Sequence, residues 1–528
     1  MQSHCNSQHS TMWKPQKDKT FRLKYTSQYG YNVDHFNFLN DYKEDWNDYV
    51  AYVNESLVEK YSSRSRKFDS IPLNKLNLDD TKYDSTDEDY VRENFKYTNP
   101  IALKSNSSTT KVDLVPETPV HLQEHTKRNA FAIAVGGQIT CIQWLPQNGN
   151  STSSYFAVSL VNSVNGIKAN DPNFSIFNKS KIRDMKSAIQ IWKYDFDKNE
   201  LKLQNMLITS EFGACSNLKW APIQSNGTIL GVLTGLFTDG NVYLFKIEES
   251  LPPYSIITEP SLAYKLHEGS TKINITSFDF IGSEKLVVGS NDGSIAEFML
   301  PFRYNGNDID IPNFKMGICW SAILSLMCIQ NPTGKYLCIA HTGAHRSITF
   351  VYDNPLQDMY PTTVKLNTQP SFNYPLQNFV ITNQAEQSQI AFPRTSHCTF
   401  ISLARSDAYY TICKVSEILG HPFLITGATN GDICIMNYFK KFLGINSSLS
   451  KVTPLRIWKV LAEPDEPITL LADVQIQDQD AVVLPTSMKT ELNITAAAWN
   501  ENRVGSSTYA VGTALGILLL ERLDPKYL

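Results

Sequence analysis

The segment ILGVLTGLFTDGNVYLFKI (229–247) carries the signal that decides the fold. An apolar run ends at Asp239-Gly240, and a second run of aromatic and β-branched residues follows at once. An Asp-Gly pair supplies the positive φ that a two-residue hairpin turn requires, and the flanking side chains are typical of strands. The segment therefore predicts two antiparallel strands joined by a tight turn.

The same unit recurs along the chain, each time behind an opening strand, which in this copy is CSNLKWAP (215–222). Five further opening strands are clear: ITCIQWLP (139–146), ITSFDFIG (275–282), AILSLMCI (322–329), YTICKVSEI (410–418) and ITAAAWNE (494–501). A single unit of three or four strands is too thin to bury both of its faces, whereas radial stacking of several units buries them all. The repeat predicts an all-β fold, a WD-repeat-like β-propeller over residues 129–528.

The repeat also predicts how many blades the propeller has and how it closes. The distance between Ile323 and Ile412 is about twice the usual blade period of roughly 40–45 residues. Strand-like runs lie inside this interval: FVIT (379–382), QIAF (389–392) and TFISLAR (399–405). We expect a degenerate unit between residues 354 and 410, which brings the total to seven blades. The run AFAIAV (130–135) is well placed to pair with ILLLERL (517–523) and to close the ring, which removes an exposed sheet edge.

Residues 1–128 differ from the rest of the chain in composition and lack the repeated strand pattern, which predicts a mostly irregular N-terminal extension. It has a basic start, one amphipathic helix over residues 38–61, an acidic segment and a Ser/Thr/Pro-rich linker. Spacings of three and four residues place one apolar stripe on that helix, and its members are Tyr42, Trp46, Tyr49, Val53 and Leu57. The stripe fits two interpretations: it packs on the globular part of this chain, or it docks on a partner protein.

The basic start is the one segment whose composition suits nucleic acid. Its positive residues are Lys14, Lys17, Lys19, Arg22 and Lys24. Phe21 and Tyr25 lie among them, so the segment has charges for phosphates and rings for base stacking. The alternative is a solvated tail. The whole chain has a net charge of −4, which excludes a uniformly basic protein that binds nucleic acid by itself.

The sequence contains few patterns that indicate catalysis or metal binding. It has no P-loop, G-x-S-x-G or H-E-x-x-H pattern. His341 and His345 have the spacing of a helical metal pair but fall in a predicted strand and turn, and His4, Cys5 and His9 lack a fourth ligand. Nine cysteines without a CxxC pair favour reduced thiols inside the cell. We therefore expect no enzyme, no cofactor and no metal.

Four aromatic residues end the opening strands in equivalent places: Trp144, Trp220, Phe280 and Trp499. An aromatic binding site is one interpretation of such a set. Because the four residues recur at the blade frequency, we expect them to be core residues.

The first two units carry a family resemblance. GGQITCIQWLP (136–146) combines a Gly-Gly opening with an aromatic-Pro strand end, and Leu-Lys-Trp-x-Pro follows in the second unit (218–222). Together with AIQIWKYDF (188–196) and LGVLTGLFTDGNVYLFKI (230–247), these motifs resemble the WD-repeat propeller subunit of TFIIIC, a general transcription factor of RNA polymerase III. Trp192-Lys193 stands where generic WD repeats have Trp-Asp, as in this divergent family.

The resemblance implies a nuclear, non-catalytic scaffold in the tau B module, which recognises the B box of tRNA genes. Its partners would be a sister propeller subunit and the large DNA-binding subunit, with promoter DNA met mainly as part of the complex, and with no membrane or small-molecule substrate. Members of the family often carry a basic N-terminal tail, but Met1–Lys24 has no Arg-Gly-Arg-Pro-like segment, so direct DNA contact stays open.

The alternative function is a WD-repeat adaptor in another nuclear complex, either a chromatin peptide reader or a ubiquitin ligase substrate receptor. A ring of acidic or aromatic residues around the central mouth of the propeller would favour that alternative. The sequence also leaves open which propeller face binds which subunit.

Overall fold

A computed structural model gives the fold, which is mostly β-strand with few helices. The structure describes residues 26, 32–62, 70–98, 100–105, 108–147, 151–163, 185–224, 227–301, 311–331, 334–344, 346–355, 359–362, 369–383, 387–391, 401–442, 452, 454–462, 466–477 and 490–524. The helices in these ranges are α1 Val33–Trp46, α2 Glu55–Tyr61, α3 Glu88–Asn94, α4 Gln123–Thr126 and α5 Phe439–Phe442, with short 3-10 turns at Leu73–Lys75, Ser210–Phe212 and Thr490–Leu492.

The strands fall into three groups along the sequence. Those before residue 129 are β1 Ile71–Pro72, β2 Lys82–Ser85, β3 Ile101–Ser105, β4 Ser108–Val112 and β5 Val120–His121. Those from there to residue 300 are β6 Ala130–Ala134, β7 Gln138–Trp144, β8 Ser153–Ser163, β9 Met185–Asp195, β10 Glu200–Ile208, β11 Cys215–Trp220, β12 Ile223–Gln224, β13 Ile229–Phe237, β14 Val242–Glu248, β15 Tyr254–Glu259, β16 Leu262–Tyr264, β17 Leu266–Glu268, β18 Thr271–Ile273, β19 Ile275–Ile281, β20 Lys285–Ser290 and β21 Ser294–Met299. The remainder are β22 Phe314–Gly317, β23 Ile323–Gln330, β24 Tyr336–Thr342, β25 Ser347–Val351, β26 Tyr360–Thr362, β27 Ser371–Asn373, β28 Asn378–Asn383, β29 Gln387–Ala391, β30 Ile401–Arg405, β31 Tyr410–Val415, β32 Phe423–Ala428, β33 Asp432–Asn437, β34 Leu455–Leu461, β35 Ile468–Leu471, β36 Gln475–Ile476, β37 Ile494–Trp499, β38 Thr508–Thr513 and β39 Ile517–Arg522.

Most of these strands belong to antiparallel runs of four. In chain order the runs are the first sheet (β7-β8-β9-β10), the second (β11-β13-β14-β16), the third (β19-β20-β21-β22), the fourth (β23-β24-β25-β26), the fifth (β27-β28-β29-β30), the sixth (β31-β32-β33-β34) and the seventh (β37-β38-β39-β6). The fifth sheet occupies the interval in which the sequence predicted a degenerate unit. Three of its strands, β28, β29 and β30, overlap the strand-like runs of the sequence, and only β27, which is three residues long, had no counterpart there.

The predicted hairpin chemistry is visible at the turn between β13 and β14. Gly240 adopts φ +82°, and its amide donates to the carbonyl of Phe237 at 2.9 Å. A Cβ at this position would lie 2.4 Å from Oδ1 of Asn274, so the turn excludes larger residues for steric as well as conformational reasons.

Each sheet shares a hydrophobic core with the next one along the chain. Ile191 of the first sheet and Phe245 of the second, for example, belong to one cluster. Other clusters join the second sheet to the third, the third to the fourth and the fourth to the fifth. The largest cluster joins the fifth, sixth and seventh sheets, and a further one joins Leu518 of the seventh to Ile142 of the first. The series of contacts therefore returns to its start.

Pairing between distant parts of the chain forms the seventh sheet. β6 is antiparallel to β39, with Ala134 opposite Ile517 and Ala130 opposite Glu521. The predicted pairing of residues 130–135 with residues 517–523 is thus confirmed. Every residue of β6 is buried, as expected for a strand whose sheet is covered on both faces.

The N-terminal extension is more ordered than the sequence predicted. Its strands join the sheets that follow: β2 pairs with β15 at the edge of the first sheet, β3 pairs in parallel with β35 beside the sixth, and β5 pairs with β6. The interpretation of residues 1–128 as mostly irregular was wrong for these segments. Their strands are two to five residues long, too short to show a clear alternation in sequence.

The single helix predicted over residues 38–61 is two helices, α1 and α2. The carboxamide of Asn437 donates to the carbonyls of Trp46 and Tyr49, at 3.0 and 2.7 Å, where the first helix ends. The side chain of Asn54 then accepts the amide hydrogens of Ser56 and Leu57 and so caps the second helix. The apolar spacing continues through both helices, and the break depends on these caps.

A buried ion pair ties the extension to the seventh sheet. Arg128 and Glu521 are 4% and 3% exposed, and the guanidinium donates to both carboxylate oxygens, Nε to Oε1 at 2.8 Å and Nη2 to Oε2 at 2.5 Å. Nη1 donates to the carbonyls of Ile457 and Ala472 beside the sixth sheet. The guanidinium also lies over the Trp458 ring at 4.2 Å. One side chain thus joins three segments that are far apart in sequence.

We predict that Arg128→Ala lowers the free energy of unfolding by about 3–5 kcal/mol, because it leaves the Glu521 carboxylate buried without its cation. Urea denaturation followed by tryptophan fluorescence measures the change. Lys202→Ala, which removes the exposed pair with Glu200, is the matched control and should change little. Equal effects of the two substitutions would contradict the role assigned to Arg128.

Candidate functional site

The basic residues proposed for phosphate contact lie outside the described part of the chain. These are Lys14, Lys17, Lys19, Arg22 and Lys24. Their contact with phosphate therefore remains a prediction from the sequence.

The apolar stripe of the extension packs on the sixth sheet and on the sheets beside it. Tyr42 is 2% exposed and donates from its hydroxyl to the carbonyl of Gly420 at 2.7 Å, and burial raises its pKa. Trp46 is 1% exposed and meets the Phe423 ring edge-on, with 5.6 Å between centroids. Val53 is fully buried, and Tyr49 and Leu57 pack against the same cluster. Tyr42, Trp46 and Val53 thus pack against this chain, as in the first interpretation, whereas Tyr49 and Leu57 are only partly buried.

We predict that Trp46→Ala lowers the free energy of unfolding by about 3–5 kcal/mol, because it removes a fully buried ring between α1 and the sixth sheet. Chemical denaturation measures the change, and Val50→Ala is the control because Val50 is 47% exposed. A small effect at Trp46 would show that the helix is not held on this surface in solution.

The four aromatic residues that end the opening strands are core residues. Trp144, Trp220, Phe280 and Trp499 are between 2% and 5% exposed. Two of the indoles also reach across to the preceding sheet: Nε1 of Trp144 donates to the carbonyl of Ala498 at 3.4 Å, and Nε1 of Trp220 donates to that of Gln143 at 3.3 Å. Their recurrence therefore reflects contacts between neighbouring sheets.

A second repeated contact lies near the start of the opening strands. Six of these strands, β7, β11, β19, β23, β31 and β37, show a register shift near their first residues. In three of them the displaced residue is a threonine that donates to the carbonyl of the next opening strand: Thr140 to Cys215, Thr276 to Ile323 and Thr411 to Ile494, at 2.6–2.7 Å. A β-bulge turns a side chain out of the ladder, and in these strands it carries a hydrogen bond between sheets.

The other ends of five opening strands, β7, β11, β19, β31 and β37, line a small cavity of about 100 Å³. Charged side chains of both signs line it: Lys219, Asp279, Lys414, Glu417 and Glu501. Nζ of Lys219 pairs with Asp279 at 2.6 Å, and the same carboxylate accepts the amide hydrogens of Phe280 and Cys328, both at 2.8 Å. Asp279 therefore links three consecutive sheets, and its oxygens are occupied by structural contacts.

Glu501 has a similar structural role at the edge of the cavity. Its carboxylate accepts from the hydroxyl of Ser416 and from the amides of Glu417, Ile418 and Leu419, at 2.7–3.2 Å. Burial raises the pKa of Glu501 to about 7, although these hydrogen bonds act in the opposite direction. The carboxyl group holds the turn that follows β31 against the seventh sheet.

We predict a pH dependence that belongs to Glu501. Since its pKa is higher in the folded than in the unfolded chain, its contribution to stability is complete below about pH 4.5 and is lost as the pH rises through about 7. The free energy of unfolding of the native chain should therefore fall between pH 5 and 8 relative to that of Glu501→Gln. Denaturation of both proteins at several pH values measures the difference. A difference that stays constant over this range would contradict the shift.

The described residues show no metal centre, since no group of three or more His, Cys, Asp and Glu side chains among them could hold an ion. His341 lies in β24, where burial lowers its pKa to about 3. His4, Cys5, His9 and His345 lie outside the described residues. No helix in the described ranges is long and apolar enough to cross a membrane.

A group of exposed apolar side chains lies at residues 311–324, a segment that includes β22 of the third sheet and the first two residues of β23 in the fourth. Ile311, Trp320 and Leu324 are 64%, 104% and 61% exposed there, within fourteen residues of chain. Leu324 occupies the bulge position that is a threonine in four of the other opening strands. The sequence analysis missed this exposed apolar segment. Two signals for it were present: Trp320 lies outside the strand pattern, and Leu324 replaces the threonine found at the same position of other opening strands.

Known proteins that are similar in sequence to this chain are subunits of a transcription factor. The chain is 25% identical over 420 residues to the transcription factor tau 91 kDa subunit of Saccharomyces cerevisiae, an alignment that covers 75% of the chain and 58% of the relative. It is 22% identical over 527 residues to the transcription factor tau subunit sfc6 of Schizosaccharomyces pombe, covering 97% of the chain and 84% of that relative. No family model matches. The chain is thus similar to tau subunits of TFIIIC, which supports the resemblance seen in the sequence.

Proposed function

We propose that the chain is a non-catalytic scaffold subunit of the RNA polymerase III factor TFIIIC, acting in the nucleus. Its role would be to bind sister subunits and to help the complex recognise the B box of tRNA genes. The similarity to two tau subunits is the observation that carries the proposal, because one of the alignments extends over 97% of this chain.

We interpret the fold as a seven-bladed β-propeller. Seven consecutive runs of four antiparallel strands support this interpretation, as does the sharing of a core between the seventh sheet and the first. The pairing of β6 with β39 would then close the ring with strands from two distant parts of the chain. A rigid ring of this kind offers a rim and two faces for partners.

The exposed apolar segment at residues 311–324 is our candidate surface for a sister subunit of TFIIIC. Three large apolar side chains are exposed there within fourteen residues of sequence, and exposed apolar surface of this kind is typical of protein–protein contacts. Tryptophan is also among the residue types most enriched in the side chains that dominate binding energy. Trp320 is fully exposed within this segment and is the residue we expect to contribute most.

Direct recognition of DNA is assigned mainly to the partners. The chain carries a net charge of −4, and Lys219 of the small cavity is paired with Asp279. The basic residues of Lys14–Lys24 are the segment best suited to phosphate contact, so they would assist when the complex is on its promoter.

We predict that Trp320→Ala weakens the affinity for the sister subunit about thirtyfold, the size of a strong interface contact of about 2 kcal/mol. The native chain, purified from nuclei with its partners, should bring down the other TFIIIC subunits in mass spectrometry, and the variant should recover less. Ile476→Ala is the matched control because Ile476 is 72% exposed and lies in another part of the fold.

Two outcomes would contradict the proposal. Recovery of a chromatin-reading complex or a ubiquitin ligase, in place of TFIIIC subunits, would favour the adaptor function. Tight and selective binding of a B-box duplex by the chain alone would show that it is more than a scaffold. Normal recovery with Trp320→Ala would leave the TFIIIC assignment in place but would remove residues 311–324 as its docking surface.

A further inference from the structure

Two buried cysteines lie side by side in the fourth sheet. Cys328 of β23 and Cys338 of β24 are direct partners across the antiparallel pair, and their Sγ atoms are 3.5 Å apart. They are 1% and 0% exposed. The two thiols therefore touch each other inside the core shared by the third and fourth sheets.

The backbone hydrogen bonds show which kind of cross-strand pair this is. The amide of Cys328 donates to Oδ2 of Asp279 in the third sheet at 2.8 Å, so its N–H points away from β24. Residues in that position form a non-hydrogen-bonded pair, in which the Cα atoms are about 4.5 Å apart and the side chains are closest. Disulfides require Cα atoms about 4.4–6.8 Å apart. The sheet thus already holds both cysteines at a distance that a disulfide can span.

The sixth sheet provides an internal comparison. Cys413 of β31 and Cys434 of β33 are also buried, but both are opposite Thr426 of β32, which separates them. Their strands are not neighbours, so a bond between these two cysteines would require the sheet to come apart. Burial in one sheet is common to both pairs, whereas direct opposition is found at Cys328 and Cys338.

We propose that Cys328 and Cys338 form a site of reversible oxidation, which a peroxide converts into a cross-strand disulfide. One thiol, as its thiolate, attacks a peroxide oxygen; the O–O bond breaks, and water leaves after protonation of the departing oxygen. The second thiol then attacks the sulfur of the sulfenic acid, so that the S–S bond forms, the S–O bond breaks and a second water leaves. Two thiols lose two electrons, and the peroxide takes them up.

The surroundings make this reaction slow and dependent on opening of the sheet. Burial raises the pKa of the Cys328 thiol, so that little thiolate exists while the fourth sheet is closed. Oxidation therefore proceeds through local separation of β23 from β24. Once formed, the disulfide joins the two strands until a thiol reductant opens it.

Peptide mapping of the full chain after hydrogen peroxide treatment tests the proposal. Free thiols are alkylated after unfolding, with and without prior dithiothreitol. The peptides that contain Cys328 and Cys338 should be linked, with a mass lower by two hydrogen atoms, and dithiothreitol should separate them. Cys413 and Cys434 should not be linked to each other. Free Cys328 and Cys338 thiols, or separate sulfinic acids at both positions, would overturn the proposal.

A variant supplies the second test. Cys338→Ala removes the second thiol, and the cross-link should disappear, whereas Cys413→Ala should keep it. If Cys338→Ala does not fold, the mapping of the native chain alone still decides the result. A dithiothreitol-sensitive link from Cys328 to another cysteine in the native chain would also count against the assigned pair.

Discussion

The pairing of β6 with β39 is the constraint on which the rest of the fold depends. A run of four strands has two apolar faces, and each run in this chain covers its faces with the runs before and after it. The first and last runs would each keep one face bare unless they met. The pairing of residues 130–134 with residues 517–521 completes the seventh sheet, and this sheet then packs against the first.

The charges at this junction explain why the extension belongs to the fold. Arg128 lies just before β6, and its guanidinium satisfies Glu521 of β39 and two carbonyls near the sixth sheet. Glu521 also accepts from Trp458 Nε1 at 2.9 Å and from the Tyr509 hydroxyl. A buried carboxylate is costly unless it is surrounded by donors. The extension thus brings a necessary cation to the last strand, and its helices and short strands cover neighbouring sheets.

The function proposed for this molecule depends on its surface. Two of the charged groups around the small cavity, Asp279 and Glu501, are engaged in contacts within the fold. The cavity presents charges of both signs, and the four aromatic residues at its walls are buried. The exposed apolar side chains of residues 311–324 are the surface that we propose for a partner. That distribution fits a subunit that assembles with others, as the similarity to tau subunits of TFIIIC suggests.

The sequence by itself determined most strands of the repeated units, the Asp-Gly hairpin turn and the closing pair, because each depends on a local pattern: alternation, a turn dipeptide, and an apolar run at each end. It also predicted correctly that Trp144, Trp220, Phe280 and Trp499 are core residues, since they recur with the strands.

Only the tertiary structure decided where the apolar stripe of the extension lies. Its spacing specifies an apolar face, but the surface that covers that face is formed by residues almost four hundred positions away, such as Gly420 and Asn437. The contact between Cys328 and Cys338 was also decided by the tertiary structure, because it depends on the register of β23 against β24.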